Sequence, residues 1–213
     1  MAQEFRLNDE GLIDRSKKIS FKFNGKKYFG YEGDTLASAL IANGVHLVGR
    51  SFKYHRPRGF YGAGVDDPYA LVQLIRNNET IPNIKATEQE LFEGLEAKSV
   101  NCWPNVNFDI GAINNLLNKF FPAGFYYKTF MWPNSFWYKI YEQIIRKAAG
   151  FGAAYIKHDK ERYEHKYEYC DLLIAGTGPS GLASAYAAAK NGAKVILAAV
   201  SYTHLTLPTS DLV

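Results

Sequence analysis

Asp171-Leu-Leu-Ile-Ala-Gly176-Thr-Gly178-Pro-Ser-Gly181-Leu-Ala-Ser-Ala-Tyr186 joins an apolar run, a Gly-x-Gly-x-x-Gly turn and an alanine-rich segment, and Lys194-Val-Ile-Leu-Ala198 supplies a second apolar run. That order predicts strand, turn, helix and parallel strand, the opening of a Rossmann-type dinucleotide-binding unit. Each glycine has its own expected job. Gly176 turns the chain off the strand, Gly178 lets backbone approach a pyrophosphate, and Gly181 lets helix and strand pack closely. With Ser180 in the same turn, Gly176, Gly178, Ser180 and Gly181 are the candidate cofactor-binding residues. Helix N-terminal N–H groups attract phosphate without a basic side chain, and none stands between Asp171 and Tyr186. Pro179 suits the first helical turn, and Asn191-Gly192 suits its end. Val195, Ile196 and Leu197 read as a buried parallel strand. The acid that holds the ribose hydroxyls after the second strand is missing, since Ala198, Ala199 and Val200 occupy that place. Only the first βαβ unit, residues 169–199, is expected here. Residues 200–213 have no Gly, Arg or Lys and read as a non-native tail, or else as a genuine short strand at Leu205 and Leu207 followed by a tail.

Towards the N-terminus, Ile19, Phe21 and Phe23 alternate with polar residues, Asn24-Gly25 follows, and then Tyr28 and Gly30-Tyr31 form a second run. Asn-Gly between two such runs predicts a tight hairpin. Asp34 or Thr35 then caps a helix carrying Leu36, Ala39, Leu40 and Asn43 at helical spacing, and Asn43-Gly44 ends it. Leu71-Val-Gln-Leu-Ile75 is a later strand, and Ser99-Val-Asn101 is another. Hairpin and crossing helix together predict a β-grasp, ferredoxin-like domain over residues 1–103.

In plant-type ferredoxins the loop after that helix carries C-x₄-C-x₂-C ligands for a [2Fe–2S] cluster. Residues 49–64 contain no cysteine, and the chain has two in all, Cys102 and Cys170. The expectation is a domain without a cluster, and no iron–sulfur cluster in this chain. The same loop interleaves Arg50, Lys53, Arg56 and Arg58 with Phe52, Tyr54, Phe60 and Tyr61. It reads as a loop ordered against a partner or cofactor, as a solvated or subunit-facing loop whose arginines pair with carboxylates, or as a phosphate or nucleic-acid surface. A net charge of +4 over 213 residues gives nucleic acid no further support.

Residues 104–168 form a connector. Ile110, Ile113, Leu116, Leu117 and Phe120 fit one helix, and Ser135 caps a second that runs to Gly150. Between them lies a dense aromatic stretch that suits a core between domains or an interface anchor equally. Residues 157–168 are a charged linker in which His158 and His165 read as solvated rather than as metal ligands. No apolar run reaches the eighteen residues a membrane span requires. The lack of a disulfide framework and of an apolar leader makes the cytoplasm the expected compartment.

Five stretches in this order resemble one family: Gly33-Asp-Thr-Leu-Ala-Ser-Ala-Leu40, Ser51-Phe-Lys-Tyr-His-Arg-Pro-Arg-Gly59, Asn101-Cys-Trp-Pro104, Pro122-Ala-Gly-Phe-Tyr-Tyr-Lys-Thr-Phe-Met-Trp-Pro133, and the Gly176–Gly181 turn. Over about residues 10–199 the chain resembles the N-terminal part of the α subunit of heterotetrameric sarcosine oxidase. The resemblance implies a complex with β, γ and δ subunits that oxidatively demethylates sarcosine to glycine. Electrons pass to oxygen, and the one-carbon unit goes to tetrahydrofolate. It implies NAD in the α subunit's dinucleotide domain, through Gly176, Gly178, Ser180 and Gly181, with FAD and FMN elsewhere in the complex. No catalytic residue is readable in this stretch, no metal ligand is expected, and this chain alone is expected to be inactive. The alternatives are a subunit of another amino-acid or opine dehydrogenase, or a non-enzymatic β-grasp interaction module. The expected fold class is therefore α+β with an α/β start: a β-grasp domain, a helical aromatic connector, and the first part of a Rossmann-type domain.

Overall fold

The computed structural model describes residues 3–8, 11, 13–76, 79–120, 132–149, 152, 154, 156 and 164–199. The chain divides into two compact units, Met1–Ile156 and Lys157–Val213.

The first unit is built on a five-stranded mixed sheet of order β2-β1-β7-β5-β6. Strands β1 (Asp14–Phe23) and β2 (Lys26–Glu32) form the expected antiparallel hairpin. Asn24 and Gly25 both have positive φ, 51° and 78°, the backbone that a two-residue primed turn requires. β1 runs parallel to β7 (Glu96–Ser99), and β7 runs antiparallel to β5 (Leu71–Arg76). β6 (Glu79–Lys85) closes the far edge. It carries Pro82, which cannot donate to a ladder and is tolerated at an edge. Helix α1 (Leu36–Ala42) lies across the sheet, its cap Thr35 bonded reciprocally with Ser38. Phe21, Phe23, Leu36, Leu40, Val72, Leu91 and Leu95 are buried together in one core. Asp34, the other candidate cap, is instead buried against Arg6 at 2.6 Å and also accepts from Tyr31 N. Short strands β3 (Gly49–Arg50) and β4 (Pro57–Arg58) pair to close the 50–58 loop.

The connector departs from its expected helices. Residues 110–120 form three short pieces, a 3₁₀ turn Ile110–Ala112, α2 (Ile113–Leu116) and a 3₁₀ turn Asn118–Phe120. The apolar spacing is helical, but Gly111, Asn114, Asn115 and Asn118 are poor helix formers. In the second predicted helix Ser135 is not the cap. A 3₁₀ turn Asn134–Phe136 leads into a π turn Trp137–Tyr141 and then α3 (Glu142–Ala149). Much of the dense aromatic stretch and His158 lie outside the described residues, as do residues 200–213. His165 is exposed.

The second unit consists, among its described residues, of β8 (Leu172–Ala175), α4 (Pro179–Lys190) and β9 (Val195–Ala198). β8 and β9 are parallel, in register from Leu172↔Val195 to Ala175↔Ala198. The expectation of a buried β9 is not met. Val195 to Leu197 are half-buried and Leu172 and Leu173 of β8 are exposed, because a single helix packs against a two-stranded sheet.

Candidate functional site

The glycine turn has the backbone that its spacing predicts. Gly176 has φ of 108°, a left-handed conformation, and its N–H donates to Ala198 O at 2.7 Å. A side chain on Gly181 would collide with the Gly176 carbonyl, so the third glycine is fixed by helix–strand contact. A Cβ on Gly178 would meet nothing within 4 Å, and the space over the turn is open. Gly178 caps α4 with no side-chain bond, and Pro179 opens the helix. The first-turn amides therefore have no side-chain cap, the arrangement that suits an anion. Asp171 anchors the unit from below by accepting from Lys194 N at 2.8 Å. Gly176, Gly178, Ser180 and Gly181 thus share one turn, and β9 ends in alanine with no carboxylate at Ala199.

A second site lies in the first unit, where the Ser51–Gly59 and Asn101–Pro104 stretches meet. An isolated bridge joins Gly49 to Val100, and Asn101 Nδ2 donates to Arg50 O at 3.0 Å. The Arg50 guanidinium is occupied by backbone carbonyls, those of Val106 at 2.7 and 2.9 Å and His55 at 3.1 Å. Arg56 reaches Asn115 Oδ1 at 3.0 Å and lies over the Tyr54 ring, while Arg58 lies over Tyr69. Among the described residues, carbonyl oxygens and rings rather than carboxylates therefore meet the loop's arginines. His55 Nδ1 meets Asp109 Oδ2 at 2.7 Å. Asp109, its side chain fully buried, also accepts from Trp103 N and Gly111 N at 2.9 and 3.2 Å. Any side chain on Gly111 would run into the His55 ring, so Gly111 permits the pair. Asn101 Oδ1 is buried with no hydrogen-bond partner, a rare state for a polar atom.

Cys102 sits beside this clasp. Burial pushes its thiol above the ordinary value, the Asp109 charge adds to that, and Arg50 partly offsets both. Thiolates, not thiols, react with alkylating agents. Cys102 should therefore react several-fold more slowly with iodoacetamide at pH 8 than an unhindered model thiol, its rate still rising above the pH where the model levels off. Peptide mass spectrometry over a pH series reads this, and a rate equal to the model's would contradict it.

A third clasp closes residues 59–70. The buried carboxylate of Asp67 accepts four backbone N–H bonds. Oδ2 takes Tyr61 and Gly62 at 2.7 and 2.8 Å, and Oδ1 takes Tyr69 and Ala70 at 2.7 and 2.9 Å. Burial works to raise its pKa, but the N–H groups of Gly62, Tyr69, Tyr61 and Ala70 outweigh it and hold the carboxyl below its usual range. Sequence reasoning missed both carboxylate clasps. The only signals for Asp67 were the Asp66-Asp67 pair before Pro68 and glycines at 59, 62 and 64.

Comparison with known proteins places this geometry. Residues 16–102 match the family described as the 2Fe-2S iron-sulfur cluster binding domain. The chain is 57% identical over 193 residues to sarcosine oxidase subunit alpha of Rhizobium meliloti (strain 1021), covering 91% of this chain and 20% of that one. It is 29% identical over 186 residues to the same subunit of Corynebacterium sp. (strain P-1), covering 87% of this chain and 14% of that one. The chain belongs with the sarcosine oxidase α subunits over the region it spans. That region is about one fifth of the Rhizobium subunit's length. Among solved structures it is similar to L-proline dehydrogenase from P. horikoshii, at 18% identity and a TM-score of 0.41, covering 92% of this chain and 26% of that chain.

The family match overturns one expectation from sequence, that this chain holds no iron–sulfur cluster. Counting cysteines in one loop tests a ligand set, whereas the β-grasp frame of such a domain is set by apolar patterning and by the hairpin and helix signals. The donors are nonetheless few. A [2Fe–2S] cluster takes four thiolates, or two with two histidines. This chain has two cysteines, Cys102 in the first unit and Cys170 in the second. Among the described residues no three His, Cys, Asp or Glu are grouped to hold a metal ion. The described residues do not supply a four-ligand site. No helix among them is long and apolar enough to cross a membrane.

Proposed function

We propose that this chain is the N-terminal part of the α subunit of a sarcosine oxidase complex, an oxidoreductase acting on a CH–NH bond. The observation that carries it is the 57% identity over nearly the whole chain to a subunit of that name. In this reading β, γ and δ subunits complete the enzyme, FAD and FMN lie elsewhere in it, and the compartment is the cytoplasm. Sarcosine is demethylated to glycine, with oxygen as the electron acceptor and tetrahydrofolate receiving the one-carbon unit.

The part of this chain is to begin a Rossmann-type NAD site. Gly176, Gly178, Ser180 and Gly181 would hold the pyrophosphate through backbone N–H groups at the start of α4. The uncapped helix start and the open space over Gly178 support that role. β9 offers no acid for the ribose, and the adenine side of the pocket needs further chain. Titration of the 213-residue chain with NAD should therefore give no binding heat, and binding at micromolar NAD would contradict this account.

The function is tested on the complete gene product co-expressed with its neighbouring subunits. Oxygen uptake with sarcosine should exceed that with proline or opines. A preference for either of those would reassign the chain to another amino-acid dehydrogenase.

A further inference from the structure

Segment 103–120 is held firmly yet carries an uncovered apolar face. Trp103 is 68% exposed, Phe108 67% and Leu116 82%, and Ile110, Ile113 and Phe120 lie exposed beside them. So many exposed apolar side chains in one short segment, interleaved with exposed asparagines, are unusual on a soluble monomer and point to a contact site. It is also not a loose strand of chain. Arg50, the His55–Asp109 pair and the Arg56–Asn115 bond fasten it to the 50–58 loop. A fixed face loses little conformational freedom on binding.

We propose that this face is the docking surface for a later segment of the same polypeptide. The inference rests on the reading that the chain is part of a longer subunit. Two observations favour that occupant. The chain spans 20% and 14% of the two sarcosine oxidase subunits it matches, so most of the homologous polypeptide lies outside it. A segment tethered to this one also sees the face at an effective concentration on the order of millimolar. Charge narrows the chemistry. Between residues 103 and 120 the only charged side chains are Asp109, which is buried, and Lys119. Such a face suits a core-like apolar contact rather than a polar transient partner.

Hydroxyl-radical footprinting tests this on three samples: the 213-residue chain, the complete α subunit alone, and the assembled complex. Trp103, Phe108 and Leu116 should label readily in the first and several-fold less in the second. The double variant Ile113→Asp, Leu116→Asp changes exposed positions, so it should leave the melting temperature of the 213-residue chain unchanged. It should restore labelling of Trp103 and Phe108 in the complete subunit. Protection that first appears on adding other subunits would overturn the proposal in favour of a partner chain. Concentration-dependent protection of the 213-residue chain would overturn it in favour of a second copy, and labelling unchanged in every sample would also overturn it. Sarcosine turnover with an unprotected face would sink this inference alone. Protection without sarcosine turnover would sink the functional reading alone.

Discussion

Asp67→Ala is expected to destabilise the first unit by about 3 kcal/mol, because four N–H groups, that of Ala70 buried and the others partly so, lose their acceptor, and each fully buried loss is worth roughly 1–3 kcal/mol before the loop relaxes. The melting temperature should fall by about 10–20 °C, on a scale of roughly 4–8 °C per kcal/mol for a small domain. Asp67→Asn should rescue little. Each carboxylate oxygen takes two N–H bonds, and an amide would turn its NH₂ group towards two donors. An asparagine variant as stable as the parent would show that the carboxylate is replaceable and the clasp unimportant.

The same carboxylate sets a pH dependence. Its folded pKa is depressed, so its contribution is complete above the unfolded value of about 3.9 and is lost as pH falls through the lower folded value. The parent should therefore lose stability between about pH 4 and the acid limit more steeply than Asp67→Ala, which lacks this contribution at every pH. Thermal melts from neutral to acid pH in both proteins give the comparison. Parallel curves would rule out Asp67 as a source of the slope.

What the sequence made legible follows one division. Features set by local backbone chemistry could be read: the Asn24-Gly25 turn, the helix begun at Thr35 and ended at Asn43, and the strand around Val72. The glycine turn at Gly176 and Gly181 could be read for the same reason, since each glycine answers a local steric demand. Features set by contacts between distant residues could not. Asp67 is an ordinary loop aspartate until its carboxylate is seen inside four amides. His55 and Asp109 are 54 positions apart, with no spacing rule to join them. β6 escaped notice because Pro82 argues against a strand, and only its edge position reconciles the two. The segment 110–120 misled in the opposite direction. Its apolar period is helical, but the period there fits an exposed face rather than a long helix. The iron–sulfur question shows the limit of ligand counting, because a domain's family is carried by its frame as well as by its donors.

Asp109→Ala should have the larger consequence for that face. Asp109 is the one acceptor shared by His55, Trp103 N and Gly111 N, and its removal strips the cap from the 3₁₀ turn Ile110–Ala112 and leaves the His55 ring without its carboxylate. Three donors then lose a buried acceptor, at roughly 1–3 kcal/mol each if nothing relaxes. The segment can relax, because its apolar side already faces outwards, while Arg50, Arg56 and Asn114 still tie it to the 50–58 loop. The global melting temperature should then fall less than for Asp67→Ala, while amide exchange over residues 103–116 should quicken by orders of magnitude. Each 1.4 kcal/mol of lost local stability is worth about tenfold in opening. His55→Ala removes a ring but leaves Asp109 its two backbone donors, so it should loosen the segment less. Equal exchange in both variants would mean that the pair, and not the carboxylate as a hub, holds residues 103–116 in place. Unchanged exchange in both would mean that the ties through Arg50, Arg56 and Asn114 suffice to fix the face.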